Sequence, residues 1–147
     1  MKRLLPPTYF LLTLVAMIVL HLVYPSFSYW TLPLNLLGIV PLVLGALLNL
    51  AADREFKVHN TTVKPFEKSS ALITAFPFSV SRHPMYLGML LVLIGVAWLF
   101  GTVSCTIPVL AFAVVIARVF VPVEERMLAA TFGDEWQSYR KQVHRWI

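Results

Sequence analysis

Four apolar stretches dominate this chain, from about Thr8 to Tyr24, Leu32 to Ala52, Met85 to Phe100 and Val103 to Val121, and none holds an acidic residue before its ends. A helix crosses the hydrocarbon core of a bilayer in about 20 apolar residues, with about 17 to 25 tolerated. The stretches are therefore read as four transmembrane helices. The composition requires the same conclusion: 59% of the 147 residues are hydrophobic and 13% charged, more apolar surface than a water-soluble core of this size would use. The expected fold is all-α and polytopic, a single domain over residues 1–147, since no repeat, low-complexity tract or long linker divides it.

Connections and charges fix the expected topology. Phe100-Gly101-Thr102 leaves so little chain between the third and fourth spans that they must form a tight antiparallel hairpin, which puts Arg82 and Glu124 on one membrane face. Lys2 and Arg3 precede span one; Arg54, Lys57, Lys64, Lys68 and Arg82 lie between spans two and three; Arg118, Arg126, Arg140, Lys141 and Arg145 gather around the end of span four. The opposite loops, Pro25 to Thr31 and Gly101 to Thr102, are uncharged. The positive-inside rule makes the basic face cytoplasmic, with both termini there. The net charge of +5 is thereby explained by topology, and no nucleic-acid-binding motif accompanies it. The basic start resembles a secretory signal, but bulky Val23-Tyr24-Pro25 is no cleavage site, so an uncleaved first span is expected.

Local signals refine this picture. Pro41 and Pro108 remove backbone donors and are expected to kink or locally loosen spans two and four. Gly38 and Gly45, seven residues apart, share a face suited to close helix packing. The segment from Asp53 to Ser81 is expected along the interface, with a short helix near 66–74 and Phe56, Phe66, Phe76 and Phe78 at headgroup depth. Pro122 with Glu124 and Glu125 predicts a fresh helix start, and Phe132-Gly133-Asp134 a stop followed by a new N-cap. Trp136, Tyr139 and Val143 then line one face of a tail helix that folds back over the membrane mouth.

Chemistry has few places to reside. The sequence holds no phosphate-binding glycine loop, serine elbow or zinc-helix motif. The single Cys105 excludes an intramolecular disulfide, and His21, His59, His83 and His144 lack ligand spacing, so no metal is expected. What remains is Arg82-His83-Pro84-Met85-Tyr86 at the head of span three, Arg118 near the end of span four, and Glu124-Glu125 just beyond it. Each has an ordinary explanation alone: a positive-inside arginine, an interfacial tyrosine, a dipole-matched helix start. Their convergence on the same end of one hairpin points to a polar ligand held there.

Arg82-His83-Pro84-Met85-Tyr86-Leu87-Gly88, then Glu124-Glu125-Arg126-Met127-Leu128, Phe132-Gly133, Tyr139 and Val143-His144-Arg145 resemble the integral-membrane methyltransferases, which include isoprenylcysteine carboxyl methyltransferase and phospholipid N-methyltransferases. The resemblance covers about residues 60–147. It implies a helical enzyme without a Rossmann domain that binds S-adenosylmethionine on the cytosolic side, between the last two spans and the tail. The family's cofactor positions fall on Ala71, Leu72, Ile73, Phe78, Arg82, His83, Pro84, Met85, Tyr86 and Glu124, and its acceptor positions on Arg118 and Phe120. Phe76-Pro77-Phe78 departs from a family pattern of Gly and Tyr, and Trp136 stands where Tyr is common.

The donor is zwitterionic with a sulfonium centre, so one glutamate can pair with its amine and Arg82 or His83 with its carboxylate, while Tyr86 and Phe78 offer aromatic faces to the cation. A carboxylate acceptor needs only orientation, for which Arg118 is the candidate; an amine needs a base, for which the spare glutamate, Glu125, is the candidate. The acceptor is expected to be lipid-like or prenylated and to enter from the bilayer. Two alternatives are an NADPH-dependent membrane reductase akin to the sterol reductases, with a related Arg-His-x-x-Tyr pattern, and a small non-enzymatic four-helix protein.

Overall fold

The computed structural model describes residues 5–24, 26–60 and 70–147. Helix α1 (Pro6–Val23) is followed by a 3-10 turn, Leu34–Gly38, that runs directly into α2 (Ile39–Val58). Helix α3 (Pro84–Phe100) turns through a second 3-10 segment, Val103–Cys105, into α4 (Thr106–Val115). A π-helical turn, Ile116–Phe120, joins α4 to α5 (Val121–Gln142). Among the described residues three helical runs are long and apolar enough to cross a membrane, Pro6–Val23, Leu34–Val58 and Val103–Gln142, and α3 is a shorter apolar helix. In the last run the apolar half up to Val121 is the part suited to lipid.

Glycine decides which helices lie closest. A Cβ on Gly45 would stand 2.5 Å from the Gly88 carbonyl oxygen, and one on Gly38 would stand 2.6 Å from that of Gly95. Two glycines seven residues apart on each helix thus bring the α2 and α3 backbones into direct contact, as the Gly38 and Gly45 spacing predicts. Without a solvent-driven hydrophobic force in lipid, such close approach is what holds helices together. Asn49 Nδ2 donates to the Gly45 carbonyl at 3.0 Å and Asn35 Nδ2 to that of Leu99 at 3.3 Å, while the Oδ1 atoms of both are buried without a hydrogen-bond partner. On the other side, Met17, Met89, Leu93, Val109, Phe112 and Ile116 form the core shared by α1, α3 and α4.

The α3–α4 hairpin is as tight as its loop demands. Gly101, at φ 66°, caps α3 in the left-handed conformation, and a Cβ there would meet the Trp30 carbonyl oxygen at 2.5 Å. Backbone bonds from Tyr29 to Gly101 (2.8 Å) and from Val103 to Phe27 (3.2 Å) fasten the other loop to it.

Three expectations are corrected. Of the kink or loosening expected at Pro41 and Pro108, the structure has no kink: each occupies the third position of its α-helix, immediately after a 3-10 turn that marks the change of helical form. Helix α5 does begin beside Pro122, but without a break. The wider π turn, in which Val121 N–H donates to the Ile116 carbonyl, carries the chain past a proline that offers no donor. Of the interfacial helix expected near 66–74, residues 70–74 are irregular and the remainder lies outside the described residues, as do Lys2, Arg3, Lys64, Pro65, Phe66 and Lys68. The expected stop at Gly133 is found, with φ 50° inside an otherwise helical run.

Candidate functional site

The polar residues at the two helix mouths do meet. His83 precedes α3, where Pro84 opens the first turn without needing its own donor, and the first turn of α5 carries Glu124, with Glu125 directly after it. Glu125 is the centre of the cluster. Arg145 grips it with two bonds, Nε to Oε1 at 3.1 Å and Nη2 to Oε2 at 2.6 Å. Arg82 Nη1 lies 3.0 Å from Oε1, and His83 Nε2 reaches the same oxygen at 3.4 Å. With side-chain exposures of 8% for Arg82, 0% for His83 and 12% for Glu125, these charges are held in each other's field and away from water.

Protonation follows from the arrangement. Burial works to raise the Glu125 carboxyl, but bonds from His83 and Arg145 and the charge of Arg82 outweigh it and hold the group down at about 2. Burial pulls the His83 imidazole down, yet Glu124 and Glu125 more than offset this and leave it above the ordinary histidine value. The arrangement favours the protonated imidazole, and Glu125 is a carboxylate that accepts from both Arg145 and His83.

The tail closes over this cluster. Arg82 N–H donates to the His144 carbonyl at 3.1 Å, Ser81 Oγ to that of Arg145 at 3.2 Å, and the Tyr139 hydroxyl to that of Phe78 at 2.7 Å. Trp136 is buried under the Arg82 guanidinium, 5.7 Å from its ring centre. The apolar face expected on the tail is thus the face that docks.

Two cavities flank the cluster. The first is narrow and polar on one wall, lined by Ala71, Leu72, Ile73, Phe78, Arg82 and Glu124 together with Phe56, Leu128, Trp136 and Tyr139, with about 40 Å³ of free room. Several polar atoms beside it are buried without a hydrogen-bond partner: Arg82 Nε, Arg82 Nη1, which is close to Glu125 but out of line for a hydrogen bond, and His83 Nδ1, 3.7 Å from Glu124. The second cavity is apolar, about 270 Å³, and lies between α3 and the α4–π segment under the tail. Its walls are Tyr86, Leu87, Leu90, Phe112, Ala113, Ile116, Ala117 and Trp146. His83 stands between the two, its ring stacked 5.7 Å from Tyr86 and tilted against Trp146 at 6.3 Å.

Six of the residues singled out for the cofactor, Ala71, Leu72, Ile73, Phe78, Arg82 and Glu124, therefore line one cavity. His83 is buried beside it, Met85 packs on the Ala52–Ile73–Phe78 cluster, and Tyr86 faces the apolar cavity. Arg118 is exposed on the π turn, and Phe120 is buried with its ring edge-on to Tyr9 at 5.5 Å; neither lines a cavity described here. Sequence reasoning missed Arg145 as the clamp on Glu125, and Trp146, Ala113 and Ala117 as cavity walls. The two alanines were visible at i and i+4 on span four, the spacing that opens a groove on one helix face.

Comparison with known proteins agrees with the fold. The profile of the phospholipid methyltransferase family matches residues 34–135. A probable protein-S-isoprenylcysteine O-methyltransferase of Oryza sativa subsp. indica is 30% identical over 134 residues, covering 84% of this chain and 65% of the relative. Protein-S-isoprenylcysteine O-methyltransferase B of Arabidopsis thaliana is 32% identical over 116 residues, covering 72% and 55%. The structure of a eukaryotic intramembrane Ras methyltransferase, isoprenylcysteine carboxyl methyltransferase, superposes with a TM-score of 0.67 at 25% identity, covering 96% of this chain and 51% of that one. The chain thus spans between about half and two thirds of the length of these relatives.

Proposed function

This chain belongs to the phospholipid methyltransferase family of integral-membrane methyltransferases, and on that premise we propose that it transfers a methyl group from S-adenosylmethionine to a carboxylate on a lipid-like, prenylcysteine-type acceptor. The names of its relatives favour this reading over the reductase and the non-enzymatic alternatives.

The residues of the polar cavity suit the donor. The unpartnered donors Arg82 Nε, Arg82 Nη1 and His83 Nδ1 would take its carboxylate, Glu124 its ammonium group, and Phe78 and Tyr86 the neighbourhood of its cation. When bound, S-adenosylmethionine supplies an electrophilic methyl group. The cavity has room for little beyond small solutes as it stands, so its walls must separate to admit the cofactor. Glu125 serves as a positioning residue, holding Arg82, His83 and Arg145 in register, rather than as the base expected from the sequence.

The observation that carries the choice of acceptor is how Glu125, the candidate base, is held: it accepts from Arg145 and His83, faces Arg82, and its carboxyl is lowered to about 2, which makes it a poor proton acceptor. A carboxylate needs no proton removed before it attacks, whereas a protonated amine does. The apolar chain of the acceptor then fills the cavity between α3 and α4, with its charged end toward His83. The catalytic contribution of the fold is alignment of two reactants in a space closed to water.

The close packing of α3 on α2 at Gly45–Gly88 and Gly38–Gly95 supports a four-span reading, and the distribution of basic residues supports a cytosolic site-bearing face. The test is product chemistry. Purified protein in lipid nanodiscs, given methyl-tritiated S-adenosylmethionine and a 3-(alkylthio)propanoate, should form a labelled ester that mild alkali releases as volatile methanol. Label that survives alkali on a phospholipid amine would replace this reading with the amine one, and no transfer to either would reject both.

A further inference from the structure

The polar cavity has about 40 Å³ of room, yet a wider, open cleft of about 480 Å³ lies against it. Tyr139 lines both. The pairs Ile73–Thr74 and Phe78–Ser79 each put their first residue in the cavity and their second in the cleft, so one thin wall divides the two. Thr74, Ser79, Glu135, Ser138 and Gln142, all exposed, give the cleft a rim of hydroxyls, an amide and a carboxylate, a surface suited to a polar, cationic solute.

The other walls of the cavity are poorly placed to part. Ile73 and Phe78 pack with Ala52, Phe56 and Met85, and Arg82 is held against Glu125. The Tyr139 side differs. Among the described residues, the bond from the Tyr139 hydroxyl to the Phe78 carbonyl, 2.7 Å, is the only hydrogen bond that ties residues 134–143 to another element. Gly133, at φ 50° and with space for a Cβ that would meet no other atom within 4 Å, interrupts α5 just before them. That break separates Tyr139 from the half of α5 that carries Glu124 and Leu128.

Resting on the donor site proposed above, we propose that Tyr139 is the latch on the donor's path: its bond to Phe78 keeps the cavity shut, and its ring turns out into the cleft to admit the donor and release the spent one. The same bond is closed before entry and closed again after it. The latch therefore sets the rate of exchange and leaves affinity to Arg82, His83 and Glu124.

The test follows exchange of S-adenosylhomocysteine by stopped-flow tryptophan emission, which Trp136 in the cavity wall can report, alongside equilibrium titration. Tyr139→Phe keeps the ring and removes the bond, so entry and exit should both quicken by about fivefold, the factor that one net hydrogen bond carries, with Kd within about twofold of the wild type's. Ser138→Phe, on the exposed rim, fills the room into which the ring turns and should slow both. A merely structural Tyr139 would instead lower the melting temperature and weaken binding through faster exit alone. That outcome, or rates unmoved in either variant while the wild type binds, overturns the latch and leaves the methyltransferase reading standing. Failure of the wild type to bind S-adenosylhomocysteine saturably rejects that reading and the latch together.

Discussion

Glu125 is where the two accounts of this site diverge most, because a general base and an electrostatic clamp respond differently to Glu125→Gln. The amide keeps the shape of the side chain but removes the charge that faces Arg82 at 3.0 Å, Arg145 at 2.6 Å and His83 at 3.4 Å. Arg82 and His83, with side chains 8% and 0% exposed, are then two buried cations side by side with only Glu124 near. Removing one partner from a buried ion pair costs about 3 to 5 kcal/mol, chiefly because the other is left uncompensated. Losing the Arg145 contact alone is milder, about 1 to 2 kcal/mol, since that side chain is 40% exposed. For a chain of 147 residues the larger loss lowers the melting temperature by on the order of 10 °C. Thermal unfolding in detergent and titration with S-adenosylhomocysteine should show Glu125→Gln strongly destabilised and weakened in cofactor binding, with Arg145→Ala intermediate. Full stability and full cofactor affinity, with only turnover lost, would identify Glu125 as a base and refute the clamp.

Three further outcomes follow from the same geometry. Gly45→Ala places a Cβ 2.5 Å from a backbone oxygen of α3, and separating the helices should cost about 1 to 3 kcal/mol, read as a lower melting temperature; an unchanged value would mean the seam is looser than described. Glu125, lowered from 4.5 to about 2, contributes stability that is complete above pH 4.5 and lost as pH falls through about 2, while His83, raised above 6.5, contributes below that pH and loses its share as pH rises through its own higher value. Stability should therefore be flat from about pH 5 to 6.5 and fall on both sides, with His83→Gln flattening the alkaline limb; a wild-type alkaline limb that survives in His83→Gln contradicts the assignment. Hydrogen exchange at Ala71–Ile73 should slow on adding S-adenosylhomocysteine, with no change at Phe27 and Val103 on the far side; equal rates with and without it would show that this loop does not wall the cofactor.

The parts of this molecule that were legible in the sequence are those written locally. The length of the apolar runs, the two-residue loop at Gly101-Thr102 and the left-handed stop at Gly133 each act within a few residues, and each appears where expected. The hairpin then made it a matter of geometry that Arg82-His83 and Glu124-Glu125 share a helix mouth. Division of labour between the two glutamates was not legible, because adjacent residues on a helix point about 100° apart and only the tertiary positions of Arg145 and His83 decide which is enclosed. Trp146 was hidden for a similar reason, as its role depends on a tail docking set by backbone bonds to Ser81 and Arg82. Proline was legible only in part because its effect depends on where a helix begins: the 3-10 turns upstream put Pro41 and Pro108 in first turns, so the change of helical form appears there without a kink.

The claim beneath all of this is that opposite charges at the mouths of α3 and α5 together hold the methyl donor. Isothermal titration of S-adenosylhomocysteine into the wild type, Glu124→Ala and His83→Ala tests it without reference to any acceptor. The account predicts one saturable site in the wild type and at least a tenfold weakening in each variant, the factor that corresponds to about 1.4 kcal/mol. Equal affinity in all three proteins would place the cofactor elsewhere and contradict it.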